Sequence, residues 1–311
     1  MARVLVTGAS GFVGRAAVAA LRELGYEVHA VARRPAPEIE VEAWHEADVL
    51  SPVEVERVVH DARASHLLHL AWTTEHGAFW DDPANRDWST ASLRLVQAFA
   101  EAGGVRAVIA GSCAQYDWST QALGPSGRAD EGTSPRHPAT VYGAAKQGAA
   151  EKVAAWSAAN GFSSAMGLLF LPYGPFDKPE RLVPDVTLAL EAGRVTTVRT
   201  GAEIRDFVHV HDCGGALAAL LNSDVTGDVN IGTGRGSSVA DVASSVARLL
   251  GREELLEVEP PGATQPGSTV IAAVERLQGE VEFTPRFDLE TGLKSTVAWW
   301  RDAAHQRTRR R

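Results

Sequence analysis

The chain has 311 residues, 45% of them hydrophobic, which suits one large α/β unit or two smaller ones sharing a core. Its formal net charge of −9 would repel a polyanion over the whole surface, arguing against nucleic acid as a partner. The two cysteines, Cys113 and Cys213, have no C-x-x-C or histidine ligand spacing around them, so neither a disulfide framework nor a metal site is expected.

The N-terminus runs directly into the strand-like Val4-Leu5-Val6 without a signal-peptide pattern, and no apolar run is long enough to cross a bilayer. A cytoplasmic protein with no membrane partner is expected. A glycine-rich turn follows, then Val13, Ala17, Ala20, Leu21 and Leu24, spaced as one apolar stripe of a helix that Gly25 ends. Val28 to Val31 supplies a second strand. Leu67-Leu68-His69-Leu70 and Ala107-Val108-Ile109-Ala110 read as further strands, with a helix through Leu93, Val96 and Phe99 between them. His69 is read as a packed strand residue rather than a catalyst.

After about residue 170, Pro172, Gly174, Pro175, Pro179 and Pro184 break the chain into short pieces, and a smaller unit is expected to begin there. Phe207-Val208-His209-Val210 and Val229-Asn230-Ile231 suggest a return to the sheet. Ser238 is placed to cap a helix with the apolar face Val239, Val242, Val246 and Leu249, and Gly251 lies past its end. Leu289, Leu293, Val297 and Trp300 mark a last helix, and the basic tail Arg307 to Arg311 is expected to be a frayed, solvated end. The expected architecture is α/β. A Rossmann-type doubly wound parallel sheet spans residues 1–171 with a return segment at about 206–234. A smaller, mainly C-terminal α/β substrate-binding domain spans 172–205 and 235–311.

Thr7-Gly8-Ala9-Ser10-Gly11-Phe12-Val13-Gly14 lies between the first strand and the first helix, where a dinucleotide pyrophosphate rests on exposed N–H groups. Tyr142 and Lys146 stand at i and i+4, on one face of a helix. A nearby cation lowers a phenol's pKa from its usual ~10 and so favours proton transfer. Ser112 ends a strand four residues before Tyr116, and a hydroxyl there would hydrogen-bond a substrate oxygen.

The T-G-x-x-G-x-x-G turn, Ser112 and Tyr142-Gly143-Ala144-Ala145-Lys146 together resemble the extended short-chain dehydrogenase/reductase family, of the NAD-dependent epimerase/dehydratase type. Arg205 to Asp212, Pro172-Tyr173-Gly174-Pro175 and Val229 to Gly234 resemble segments of members that act on nucleotide-sugars. The resemblance implies Ser112, Tyr142 and Lys146 as catalytic residues. It implies cofactor contacts at Thr7, Gly8, Gly11, Phe12, Val13 and Gly14, at Asp48 and Val49 near the adenine, at Leu70 and Ala71, and at Tyr142 and Lys146. It implies substrate contacts at Trp72, Cys113, Tyr116 and Arg205. Arg205 is placed on a substrate diphosphate, with an Arg205–Asp206 ion pair as its structural alternative. A homodimer is expected.

At the end of the second strand, Ala32-Arg33-Arg34 offers no acid for a ribose 2′-OH, and two guanidiniums suit a 2′-phosphate. NADP(H) is therefore favoured, with NAD(H) as the alternative. Cys113-Ala114 stand where the family's 4,6-dehydratases carry Asp-Glu, so elimination of water lacks its acid and base. Leu171 stands where many relatives have an asparagine that touches substrate phosphates. Trp72, Trp80, Trp88 and Trp118 are expected in loops beyond the carboxyl ends of strands, as a pocket wall or as satellite core. The leading reading is an NADPH-dependent reductase of a nucleotide-linked 4-keto-6-deoxysugar. A nucleotide-sugar 4-epimerase and a non-catalytic dinucleotide-binding sensor or scaffold are the alternatives.

Overall fold

The computed structural model describes residues 2–73, 77–199, 202–259 and 268–309. The first half alternates strand and helix: β1 (Arg3–Thr7), α1 (Phe12–Glu23), β2 (Glu27–Ala32), β3 (Ala43–Glu46), α2 (Pro52–Ala62), β4 (His66–His69), α3 (Asn85–Glu101) and β5 (Arg106–Ser112). Two short pieces, α4 (Thr120–Leu123) and β6 (Arg128–Ala129), precede α5 (Val141–Asn160) and β7 (Ser163–Leu169). Then come β8 (Leu171–Tyr173), α6 (Leu182–Glu191), β9 (Thr196–Val198), β10 (Ile204–Arg205), β11 (Phe207–His209), α7 (Val210–Leu221) and β12 (Gly227–Ile231). The chain ends through β13 (Ser237–Ser238), α8 (Val239–Leu250), β14 (Leu256–Val258), β15 (Thr269–Ala272), α9 (Glu275–Gly279) and α10 (Leu289–Arg309).

Seven parallel strands form the main sheet in the order β12-β7-β5-β4-β1-β2-β3. Strand order reverses between β1 and β4, and in such a sheet the crevice beyond the carboxyl ends of those two strands is where ligands bind. Side-chain alternation along β1 divides the core. Val4 and Val6 pack with Leu21 and Leu217 on one face, under α1 and α7, whereas Leu5 packs with Val59, Leu95 and Val153 on the other, under α2, α3 and α5. A third cluster joins Val186, Leu190, Val246, Leu293 and Val297 across α6, α8 and α10. Ser238 does cap α8, its Oγ accepting from Asp241 N at 2.9 Å, and Gly251 ends the helix in a left-handed conformation.

The return of the chain differs from the sequence expectation. Among the described residues Phe207–His209 pairs only with Leu171–Tyr173, and the strand that rejoins the main sheet is β12 alone. Between them lies α7, a helix the sequence pattern does not announce because Gly214-Gly215 interrupt it. The glycines serve packing. A Cβ on Gly214 would lie 2.4 Å from the backbone carbon of Ala16, so α1 and α7 approach closely only because that atom is missing. The small four-stranded sheet, β13-β10-β15-β6, also takes Arg128–Ala129 from within the first 171 residues. Helix α10 continues to Arg309 where a frayed tail was expected. Residues 310 and 311 lie outside the described residues, as do the side chains from residue 305 onward. Among the described residues no helix is long and apolar enough to cross a membrane.

Two buried cationic or titratable groups tie distant elements together. Arg106, 5% exposed at the start of β5, donates to the Leu220, Leu221 and Val225 carbonyls and to Ser163 Oγ, closing the C-terminal end of α7 against the sheet. His209, 1% exposed, packs against Tyr173, His211 and Phe287 at centroid distances of 5.5, 5.3 and 4.0 Å, and neither ring nitrogen hydrogen-bonds among the described residues. Burial, with His211 adding to it, pushes the His209 pKa down from 6.5 to about 4. The unfolded chain therefore binds this proton first as pH falls, so the stability contributed by neutral His209 is complete above pH 6.5 and is lost between 6.5 and 4. A His209→Leu variant, which lacks this loss, should gain on the wild type by up to about 3 kcal/mol across that window in urea titrations at several pH values. A difference independent of pH would refute the assignment.

Candidate active site

The glycine turn leads from β1 into α1 and packs against the segment just past β4. Gly8 has φ +72°, and a Cβ there would lie 2.7 Å from Ala71 N. A Cβ on Gly14 would come within 2.0 Å of Gly8 O, so the helix can start this close to the turn only with glycine at that position. Gly11 N donates to Gly8 O at 2.9 Å, and α1 begins at the next residue with its N–H groups facing the crevice end of the sheet. This cradle fits a dinucleotide pyrophosphate in chemistry and position. Thr7 anchors its floor: its carbonyl accepts from Leu70 N at 3.1 Å and its Oγ1 accepts from Ala71 N at 3.2 Å. Behind it, His69 shares hydrogen bonds with Thr7 Oγ1 at 2.6 Å and Ser92 Oγ at 2.9 Å. Burial pushes its pKa down to about 3, so it is neutral. His69 is a packed strand residue, as its place in β4 suggested.

Phe12 and Val13 open α1, and Val13 packs on the core beneath it. Asp48 lies just past β3 with Oδ1 accepting from Leu50 N at 2.9 Å, while Val49 is buried in the core with Leu5 and Val31. Arg33 and Arg34 are exposed immediately after β2. Neither takes part in an ion pair among the described residues, whereas the neighbouring acids Glu38 and Glu40 are paired with Arg15 and Arg22.

Helix α5 brings the reactive groups together. Thr140 caps it, its Oγ1 accepting from Gly143 N at 3.0 Å, and a Cβ on Gly143 would lie 2.3 Å from Ala114 O. That close approach sets Tyr142 beside Ser112, whose hydroxyl draws the phenol pKa down. Ser112 Oγ also accepts from Ala114 N at 3.2 Å. Lys146, 4% exposed, donates to Ala110 O at 2.7 Å, and its Nζ lies 5.9 Å from the Tyr142 ring centroid. Burial pushes Tyr142 up to about 12, opposed chiefly by the Ser112 hydroxyl, and Lys146 is itself pushed down to about 7 by burial. Desolvation dominates at both groups, and the phenol is protonated at neutral pH.

Aromatic rings surround Tyr142. Trp72, Phe79 and Trp80 all meet its ring edge to face, at 6.3, 5.0 and 5.6 Å. Trp72 and Trp80 lie in the loop after β4, as expected, and Trp118 follows β5, but Trp88 belongs to α3, where it stacks on Trp72 at 5.9 Å. Phe79 was not foreseen. Its only signal in the sequence is its place beside Trp80.

Three of the expected substrate contacts lie elsewhere. Tyr116 is 1% exposed and donates to Asn230 Oδ1 at 2.9 Å, turned into the core by a partner on β12. Cys113 is 3% exposed and packed in the core, where burial raises its thiol pKa to about 12. Arg205 is 5% exposed and spends its donors on Ile204 O, Ser268 O, Ser268 Oγ and Glu203 Oε2. Its ion pair is with Glu203, not Asp206, whose buried carboxylate instead accepts from Thr233, Gly234 and Ala272. Trp118 lies over the Arg205 guanidinium at 5.1 Å. Among the described residues, no cluster of three or more metal-ligating side chains forms.

A profile of the NAD dependent epimerase/dehydratase family matches residues 4–232. The chain is 25% identical, over 97% of its length and 94% of the relative's, to dTDP-glucose 4,6-dehydratase of Neisseria meningitidis serogroup B (strain ATCC BAA-335 / MC58). It is 29% identical to a 3-diazoavenalumate denitrifying reductase of a Streptomyces species, over 96% of this chain and 98% of that one. The solved structure of MoeE5 in complex with UDP-glucose and NAD has a TM-score of 0.79 with this fold at 28% identity, covering 97% of this chain and 99% of that one. The family match takes in the glycine turn, the strand ending at Ser112 and the Tyr142–Lys146 helix in a single stretch, and the chain belongs to the NAD dependent epimerase/dehydratase family, of the extended short-chain dehydrogenase/reductase type.

Proposed function

We propose that the chain is an NADPH-dependent reductase that delivers hydride to C4 of a nucleotide-linked 4-keto-6-deoxysugar. The observation that carries this reading is the Tyr142 phenol, set beside Ser112 at the head of α5 and kept protonated at neutral pH by burial, which makes it a proton donor. Cys113 and Ala114, where a dehydratase would carry its acid and base, offer neither.

The nicotinamide supplies the hydride when bound. Thr7, Gly8, Gly11, Phe12, Val13 and Gly14 would hold its pyrophosphate, Asp48 and Val49 would flank the adenine, and Leu70, Ala71 and Lys146 would lie along the nicotinamide half. Tyr142 gives its proton to the substrate oxygen as negative charge develops there, and the Ser112 hydroxyl donates to the same oxygen. The Lys146 ammonium then favours the phenolate left behind. Trp72 borders the acceptor.

The exposed, unpaired Arg33 and Arg34 support NADPH over NADH, since a 2′-phosphate gives each guanidinium a charge-assisted partner. Fluorescence titration should show NADPH binding at least about tenfold more tightly, with the preference lost in Arg33→Ala/Arg34→Ala. Equal binding by the wild type would overturn the assignment. One observation favours a second reading, reduction of an aromatic acceptor. The denitrifying reductase is matched over 98% of its length, and three aromatic rings surround Tyr142. The deciding experiment follows NADPH consumption with a panel of nucleotide-linked 4-keto-sugars and of aryl acceptors. Turnover of a 4-keto-sugar supports the first reading, and turnover of aryl acceptors alone supports the second. Interconversion of nucleotide-hexoses without net NADPH loss identifies a 4-epimerase instead.

A further inference from the structure

A buried ammonium needs partners for three N–H donors. Lys146 directs one to Ala110 O at 2.7 Å, and the centroid of the Trp72 ring lies 3.8 Å from its Nζ. That ring is fixed from behind. Trp72 Nε1 donates to Asn85 Oδ1 at 2.8 Å, and the indole stacks on Trp88 at an interplanar angle of 29°. Asn85 is itself fully buried at the start of α3, its amide donating to Phe79 O at 2.7 Å and Asp82 O at 2.9 Å. The indole is therefore held with its π face toward the cation by groups that do not touch Lys146.

We propose that Trp72 is a positioning residue for Lys146, its pinned indole face keeping the ammonium charged and beside Tyr142. Among the described residues no carboxylate performs this role. Burial alone shifts Lys146, and it shifts it toward the neutral amine. Among the described residues, the titratable groups near it are His69 from β4 and Tyr142 one turn earlier on α5, both neutral near pH 7. α3 presents Trp88 and, through His69, Ser92. An aromatic face attracts a desolvated ammonium through its quadrupole, and among the described residues it is the contact that favours the charged form besides one carbonyl. The consequence for turnover rests on the reading of Tyr142 and Lys146 as the reactive pair, but the positioning itself does not.

The chain has four lysines, Lys146, Lys152, Lys178 and Lys294, so the full-length protein labelled with 13C-lysine gives few side-chain signals, and Lys146 is assigned by its loss in Lys146→Met. Trp72→Leu should lower the Lys146 titration midpoint by about one unit, and Trp72→Phe should restore half or more of that shift. If Trp72→Leu does not fold, fluorinated tryptophan in the wild-type chain keeps the shape while withdrawing π charge, and the midpoint should fall in the same direction. A midpoint unchanged in a folded Trp72→Leu or in the fluorinated protein overturns the proposal. A midpoint that moves while the alkaline limb of turnover stays in place leaves the positioning intact and refutes the catalytic pairing.

Discussion

Tyr142→Phe is expected to lower turnover about 100- to 10,000-fold while leaving NADPH binding nearly unchanged. The substitution deletes only the hydroxyl, the one group on that ring able to give a proton to the substrate oxygen. The ring itself keeps its three edge-to-face contacts with Trp72, Phe79 and Trp80, so the fold around it is preserved. The backbone also stays tied, because Tyr142 N donates to Trp80 O at 2.9 Å whatever the side chain. Rates must be compared at saturating cofactor so that a binding loss is not read as a chemical one. Wild-type turnover in Tyr142→Phe, on whichever acceptor the panel identifies, would mean that the proton comes from elsewhere.

Arg106→Met should cost about 3–5 kcal/mol of stability, the largest loss expected from a residue remote from the crevice. The methionine fills most of the volume but leaves the Leu220, Leu221 and Val225 carbonyls and Ser163 Oγ without their shared donor. Buried acceptors deprived of a partner carry their full desolvation penalty. Lysine should recover only part of the loss, since a single ammonium cannot span four acceptors that a planar guanidinium reaches at once. Urea unfolding of the three proteins under one set of conditions measures this. A loss below about 1 kcal/mol would show that water satisfies those carbonyls when the side chain is removed.

What the sequence makes legible here is what is local. Gly8, Gly11 and Gly14 fall within seven residues of one another, so their spacing alone defines the turn, and Tyr142 and Lys146 are one helical turn apart. The sheet was readable for the same reason, since Val4-Leu5-Val6 and Ala107 to Ala110 are apolar runs with clear turn signals around them. The fates of Tyr116 and Arg205 depend on partners far along the chain or on packing. Asn230, which takes the Tyr116 hydroxyl, is 114 positions away. Ser268, which takes two of the Arg205 donors, is 63 positions away. Helix α7 was hidden by Gly214-Gly215, because what favours glycine there is the backbone of α1 and not any preference of the segment itself.

The packing of α7 on α1 also sets a timetable for synthesis. The face of α1 that carries Ala17 and Leu21 is covered by Leu217 and Leu220, and the sheet edge at β7 is completed by β12, residues 227–231. A ribosome adding ~5–20 residues per second reaches those positions only after tens of seconds. Until then the emerging glycine turn has its strand and helix but not the layer that holds them down. Anything that shields apolar surface on nascent chains has its longest task on this helix face.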